Sequence, residues 1–190
     1  RFANMGPDYA ASRGEYLNGL ILAQVLGFDF VDPVEIIFFD TRGRLDEERT
    51  YNAASQRLCQ VSNAVIPGFY GRRAGDPVRV KTLSRGGSGV TGPIVARAMQ
   101  ATVYENWTDV SGLLMADPGI IDDPKIIDTI TYRELRELSY MGARVLHEEA
   151  VFPVRAAGIP LNIRNTHDPE APGTTIVSDS DASRFKAGSI

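Results

Sequence analysis

The chain has one cysteine, Cys59, and two histidines, His147 and His167, among its 190 residues. A lone cysteine excludes an internal disulfide, and a reducing cytoplasm is its natural setting. One cysteine and two histidines do not make a metal-ligand cluster, so no metal site is expected. No apolar run approaches the ~20 residues that a membrane span requires, and no signal peptide is visible. Basic residues are outnumbered, 20 Lys and Arg against 24 Asp and Glu, for a net charge of −4. That balance argues against nucleic acid as the main partner, because phosphate backbones select basic faces. No internal repeat is evident.

What is present is ordinary for one α/β domain, or a large part of one: 43% hydrophobic and 23% charged residues. The chain opens with Arg1 rather than methionine, as a fragment of a longer protein would.

Ser12 to Leu26 reads as a helix, with Ser12 and Glu15 at capping-box spacing, Leu17, Leu20, Ile21 and Val25 near a helical period, and Gly27 as its stop. Val34 to Phe39 reads as a buried strand. Leu45 to Gln60 is a second helix with acidic residues in its first turn. Strands are expected over Val61–Phe69, Val78–Leu83, Thr102–Trp107, Leu161–Asn165 and Thr174–Val177. Further helices are expected over Pro93–Ala101, Thr131–Met141 (capping box Thr131 and Glu134) and Arg144–Ala157, which Gly158 ends. Strands alternating with helices predict an α/β domain with a mostly parallel sheet. Ser178 to Ile190 is mostly polar or small and reads as a linker.

The most informative segment is Thr82-Leu83-Ser84-Arg85-Gly86-Gly87-Ser88-Gly89-Val90-Thr91, joining a strand to a helix. Glycines let backbone N–H groups approach a ligand, and the following helix directs its positive end at the same place. Arg85 adds a fork of donors suited to carboxylate or phosphate, and Ser88 and Thr91 add hydroxyls. The alternative is a plain strand-to-helix turn capped by Ser88. The segment is neither a Walker loop nor a GxGxxG dinucleotide turn.

This segment resembles the RGGSD loop of aspartokinases. Glu105 to Val110 resembles their WTDV segment, Ala116-Asp117-Pro118 their ADPR turn, Gly142 to His147 their GAKVLH helix, and Ser12 to Leu17 their SxGExL motif. Val65 to Phe69, then Asn165-Thr166 with Pro172 to Thr174, complete the family order.

The resemblance implies the amino acid kinase (carbamate kinase-like) fold, a three-layer αβα sandwich with a mostly parallel sheet, incomplete here at the N-terminus. Residues 1–177 would be the C-terminal part of that kinase domain, and 178–190 a linker toward absent regulatory ACT domains. The implied reaction is ATP-dependent phosphorylation of the L-aspartate β-carboxylate, the first step toward lysine, threonine and methionine, with Mg²⁺ on the nucleotide phosphates. The implied enzyme is a cytoplasmic homo-oligomer.

By the same resemblance Arg85 would grip an aspartate carboxylate, and Ser88 would donate to substrate or phosphate. Glu15 would accept from the substrate ammonium, or serve the capping box with Ser12. Thr108 and Asp109 would contact the nucleotide, the alternative being an Asx-type turn. Leu114 stands where some members carry tyrosine near adenine. Arg144 and Val145 would lie by the phosphates and nucleotide, the alternative for Arg144 being a surface ion pair. Trp107 reads as a packing residue rather than a base-stacking platform, and His147 as a hydrogen-bonded partner in or near the core rather than a ligand.

The sequence departs from the family pattern at Gly89, where aspartate is usual, at Gly119, where the ADPR turn has arginine, and at Arg144, where lysine is usual. The phosphate-directed lysine of the family's KFGG segment belongs upstream of Arg1. The chain alone is therefore expected to be inactive. Two other readings remain: a different amino acid kinase, such as a glutamate or uridylate kinase, or a non-catalytic relative.

Overall fold

The computed structural model describes residues 6–75, 80–83, 88–117, 119–140 and 148–181. The chain divides into two compact units, Arg1–Met99 and Gln100–Ile190.

In the first unit, α1 (Pro7–Leu26) starts well before Ser12, because Pro7 supplies a pre-set φ at the first helical position after Gly6. Ser12 is thus inside the helix, where its hydroxyl donates to the Tyr9 carbonyl at 2.8 Å, and the expected Ser12–Glu15 capping box is not formed. Gly27 ends α1 in the left-handed conformation, as expected. The face that α1 buries is Ser12, Gly19 and Ala23. A Cβ on Gly19 would lie 2.6 Å from Pro67 Cγ, so the absence of a side chain sets the approach. Leu17, Ile21 and Val25, the expected apolar stripe, are exposed instead.

The rest of this unit is β1 (Asp29–Phe30), α2 (Pro33–Ile36), β2 (Phe38–Phe39), α3 (Glu47–Leu58), β3 (Ala64–Val65), β4 (Tyr70–Arg73), β5 (Val80–Thr82) and α4 (Ser88–Ala98). Strands β1 and β3 pair in parallel; β2 and β4 also pair in parallel, with β5 antiparallel to β4. The strand expected over Val34–Phe39 is half helix. Asp32 accepts from the Val34 N–H at 3.2 Å and Pro33 follows, which together nucleate one helical turn before β2. The strand expected over Val61–Phe69 shortens to β3. Helix α4 starts at Ser88, so Pro93 lies inside it rather than near its first turn. Val31, Ile36, Ile37, Phe39, Ala54 and Leu58 form the buried cluster.

In the second unit, β6 (Tyr104–Thr108), β7 (Thr129–Thr131), α5 (Tyr132–Tyr140), α6 (Glu148–Ala156), β8 (Leu161–Asn165) and β9 (Thr174–Val177) follow in order. The sheet order is β6-β8-β9-β7. Strands β6 and β8 run one way; β9 and β7 run the other. Leu161, Ile163, Ile176 and Val177 are fully buried; Ile176 and Val177 are consecutive and point to opposite faces, so β9 is covered on both sides. The capping box of α5 forms as predicted. Glu134 Oε2 accepts from the Thr131 N–H at 2.7 Å, and Thr131 Oγ1 accepts from the Glu134 N–H at 3.1 Å.

Candidate functional site

Because β6 and β8 are parallel and in register to the last residue, Thr108 lies opposite Asn165. The two strand exits are tied together. Thr166 donates both its N–H, at 2.8 Å, and its hydroxyl, at 3.0 Å, to the Thr108 carbonyl. The Asn165 side chain donates to Ser111 Oγ at 2.8 Å and accepts from the His167 N–H at 2.9 Å. Asp109 is exposed beyond this end of the sheet. Its Oδ1 accepts from the Thr108 hydroxyl at 3.1 Å, in place of the Asx-type turn that was the alternative. Exposed and acceptor-rich, the Asp109 carboxylate can receive hydroxyl or amino hydrogens from a ligand.

Trp107 does not pack in the core. It is half-exposed on β6, with its indole N–H donating to Glu105 at 3.1 Å and the Arg164 guanidinium 4.9 Å from its ring centre.

Leu114 and Gly119 belong to the loop between β6 and β7. The loop closes on itself: Met115 N–H donates to Lys125 O at 2.9 Å, and Ile127 N–H to Leu113 O at 2.8 Å. Thr174, at the start of β9, anchors both legs by accepting from the Leu113 N–H and donating to the Ile127 carbonyl. This places Leu114 at the same end of the sheet as Thr108 and Asp109. Gly119 N–H donates to Asp117 Oδ1 at 2.8 Å. Leu114, Met115, Ile120 and Ile121 are exposed, giving the loop an apolar surface.

In the first unit, Glu15 is exposed on α1. Arg13, on the same helix, has its guanidinium over the rings of Tyr9 and Tyr16 at 4.2 and 4.4 Å. Arg85 and the side chain of Ser88 lie outside the described residues, as do Arg144, Val145 and His147. The expected pairing of the Arg85–Ser88 turn with the Thr108–Asp109 edge falls outside them too.

The two flanks of that turn are described. Phe69, with a φ of 85°, accepts from the Leu83 N–H at 2.7 Å and donates its own N–H to Thr91 Oγ1 at 3.2 Å. Thr91 is buried, so its hydroxyl is an anchor and not the free ligand group that the sequence suggested. On the leading side, Asp8 accepts from the Thr82 hydroxyl at 2.8 Å and pairs with Lys81 at 3.5 Å. Burial pushes the Asp8 carboxyl up, but the Thr82 and Lys81 contacts outweigh it and hold the carboxyl below its ordinary value. Asp8 and Ser111 were not singled out from sequence, and Phe69 stood in the Val65–Phe69 motif without a role of its own. Each acts through a partner far along the chain, which local spacing does not reveal.

The chain matches the family model described as the amino acid kinase family over residues 2–165. It is 48% identical over 118 residues to aspartokinase 3 of Bacillus subtilis, covering 62% of this chain and 25% of that protein. Among solved structures, an aspartate kinase from Clostridium acetobutylicum is 55% identical with a TM-score of 0.86, over 94% of this chain and 40% of that one. Aspartokinase III of Escherichia coli, solved with aspartate and ADP, is 28% identical with a TM-score of 0.77, over 90% of this chain and 40% of that one. The chain thus spans between a quarter and two fifths of these relatives' length. The α/β architecture is that of the amino acid kinase fold, its likeness runs to the catalytic part of aspartokinases, and the chain belongs to the amino acid kinase family.

Proposed function

We propose that the protein of which this chain is a part transfers the γ-phosphoryl group of ATP to the β-carboxylate of L-aspartate. The carrying observation is the tied exit of β6 and β8, with Thr108 and Asp109 beyond it, in a chain 55% identical to an aspartate kinase. Ligands of open α/β sheets lie beyond strand ends of this kind. In this reading residues 1–177 are kinase domain and 178–190 lead toward regulatory ACT domains.

The attacking carboxylate is ionised at neutral pH, so no general base is needed. A carboxylate oxygen bonds to the γ-phosphorus as the bond to the bridging oxygen breaks, giving 4-phospho-L-aspartate and ADP. The protein's part is positioning and neutralisation of charge. Arg85 holds a substrate carboxylate, Glu15 the ammonium group, and Ser88 a substrate or phosphate oxygen. Thr108 and Asp109 take the nucleotide, Leu114 packs toward its base, and Gly119, Arg144 and Val145 border it. Mg²⁺ would arrive on the nucleotide phosphates, which would supply most of its ligands.

Lysine-pathway biosynthesis, a cytoplasmic location and homo-oligomeric assembly belong to this reading. No described helix is long and apolar enough to cross a membrane. A non-catalytic relative is the second reading, favoured by Gly89 in α4, and Gly89→Asp restoring turnover in the longer protein would support it.

Calorimetry of the 190-residue chain with ADP and Mg²⁺ tests the nucleotide part. Weak binding that Asp109→Ala abolishes is expected, and absence of heat would overturn it. The chain alone should release no ADP with aspartate. Extended to its relatives' length, it should phosphorylate aspartate in preference to glutamate or UMP; the reverse preference would sink the substrate assignment.

A further inference from the structure

The chain that leaves β6 is tied down at its start, middle and end. At Thr108 the carbonyl receives the N–H and the hydroxyl of Thr166, at 2.8 and 3.0 Å. At Ser111 the hydroxyl oxygen accepts from the Asn165 side-chain amide at 2.8 Å. At Leu113 the N–H donates to the buried Thr174 hydroxyl, also at 2.8 Å. Asp109 and Val110 lie between the first two ties, and both are exposed. Packing therefore does not fix their path, and the hydrogen bonds on either side of them do.

These ties do different work. The in-register pairing of β6 with β8 and the two Thr166 bonds already hold the strand exits together. The Asn165–Ser111 bond pairs no strands. It reaches 54 positions along the chain to a loop residue, and it sets the course of residues 109–111. The amide is oriented for this contact. Asn165 Oδ1 accepts from the His167 N–H at 2.9 Å. A backbone N–H only donates, so the amide oxygen faces it and the nitrogen is left for Ser111. The carboxylate displayed by this span is half committed. Asp109 Oδ1 accepts from the Thr108 hydroxyl at 3.1 Å, and among the described residues nothing donates to its Oδ2.

We propose that Asn165 is a positioning residue for nucleotide binding. Through Ser111 it pre-sets the Asp109–Val110 span, so that the carboxylate meets the nucleotide without the loop having to order first. Asn165 acts through Ser111 and not by contact with the ligand. Ordering a free span on binding weakens affinity, and a tie made in advance removes that loss. This inference rests on the nucleotide reading above and adds to it the residue pair that holds the site in shape.

The test is calorimetric titration of the 190-residue chain with ADP and Mg²⁺, with a thermal melt of each variant. Asn165→Ala and Ser111→Ala should each weaken ADP binding by about 10-fold. Ser111→Ala leaves the Asn165–His167 bond in place, so it reads the tie alone should Asn165→Ala disturb the fold. Ser111→Thr keeps the hydroxyl and should bind as the parent does. Tyr132→Phe removes a buried hydrogen bond to the Ile159 carbonyl, at the end of the sheet away from Thr108. It should lower the melting temperature and leave ADP affinity unchanged. In the protein extended to its relatives' length, Ser111→Ala should raise the KM for ATP by about 10-fold and leave kcat and the KM for aspartate within about twofold. Parent affinity retained by both alanine variants overturns the positioning role and leaves the nucleotide reading standing. So does a loss of ADP affinity that merely follows melting temperature, Tyr132→Phe included. Absence of ADP binding by the parent overturns both.

Discussion

Leu113 donates its backbone N–H to the hydroxyl of Thr174 at 2.8 Å, sixty-one positions along the chain. The same hydroxyl donates to Ile127 O at 2.7 Å, so one fully buried oxygen holds both legs of the loop carrying Leu114 and Gly119. Thr174→Val keeps the shape and removes both bonds. It should lower stability by about 1–3 kcal/mol, the cost of leaving a buried donor unsatisfied. Urea unfolding followed by the fluorescence of Trp107, the chain's single tryptophan, reads this out. An unchanged midpoint would show that the loop is held by other means.

The buried face of α1 makes opposite predictions for neighbouring residues. Gly19→Val would drive a branched side chain into Pro67 and Phe30, and should destabilise by about 1–3 kcal/mol or more, as overpacking does. Ile21→Lys, on the exposed face, should stay within about 0.5 kcal/mol of the parent. Thermal melts of the two variants decide it, and a larger loss from Ile21→Lys would invert the assignment of faces.

Asp8 gives a pH dependence of known sign. Its carboxyl titrates lower in the folded chain than in the unfolded one, so below about pH 4 the unfolded state binds more protons. The stabilising contribution is complete above the unfolded value and fades as pH falls through the folded one. Asp8→Asn should therefore flatten the acid limb of the stability curve and leave its neutral region lower. Equal acid limbs for parent and variant would show that the Thr82 and Lys81 contacts carry no net linkage.

Gly119 offers a gain-of-function test of the nucleotide reading. Family members carry arginine at this point of the ADPR turn. A charge-assisted hydrogen bond is worth about 1.5–3 kcal/mol, so Gly119→Arg should tighten ADP binding by about tenfold or more. A Cβ at Gly119 would meet only Asp117 Oδ1, at 3.1 Å, an approach that a small shift of that side chain relieves. Titration with ADP and Mg²⁺ showing no tightening would separate this loop from the nucleotide.

Legibility from sequence followed the range of the forces involved. Strands β8 and β9 and the capping box of α5 were readable because short apolar runs and cap chemistry act over a few residues. The start of α1 was misread because Ser12 and Glu15 mimic a cap that Pro7 makes unnecessary. Its buried face was misread because small residues, not large ones, allow the close approach to Pro67. Strand β4 was missed because two glycines flank its start, while Gly71 is demanded by the Ile37 carbonyl lying 2.6 Å from where its Cβ would be. Of the candidate site, Thr108 and Asp109 were legible through a motif, whereas Asn165 and Thr166 had drawn notice without a role. Their role comes from the register of two strands distant in sequence.

Phe69 grips the residue before the 84–87 segment and the threonine after it with its own two backbone groups. Both flanks, Leu83 and Thr91, therefore answer to one residue, so a substitution that shifts the backbone at Phe69 would loosen the two together.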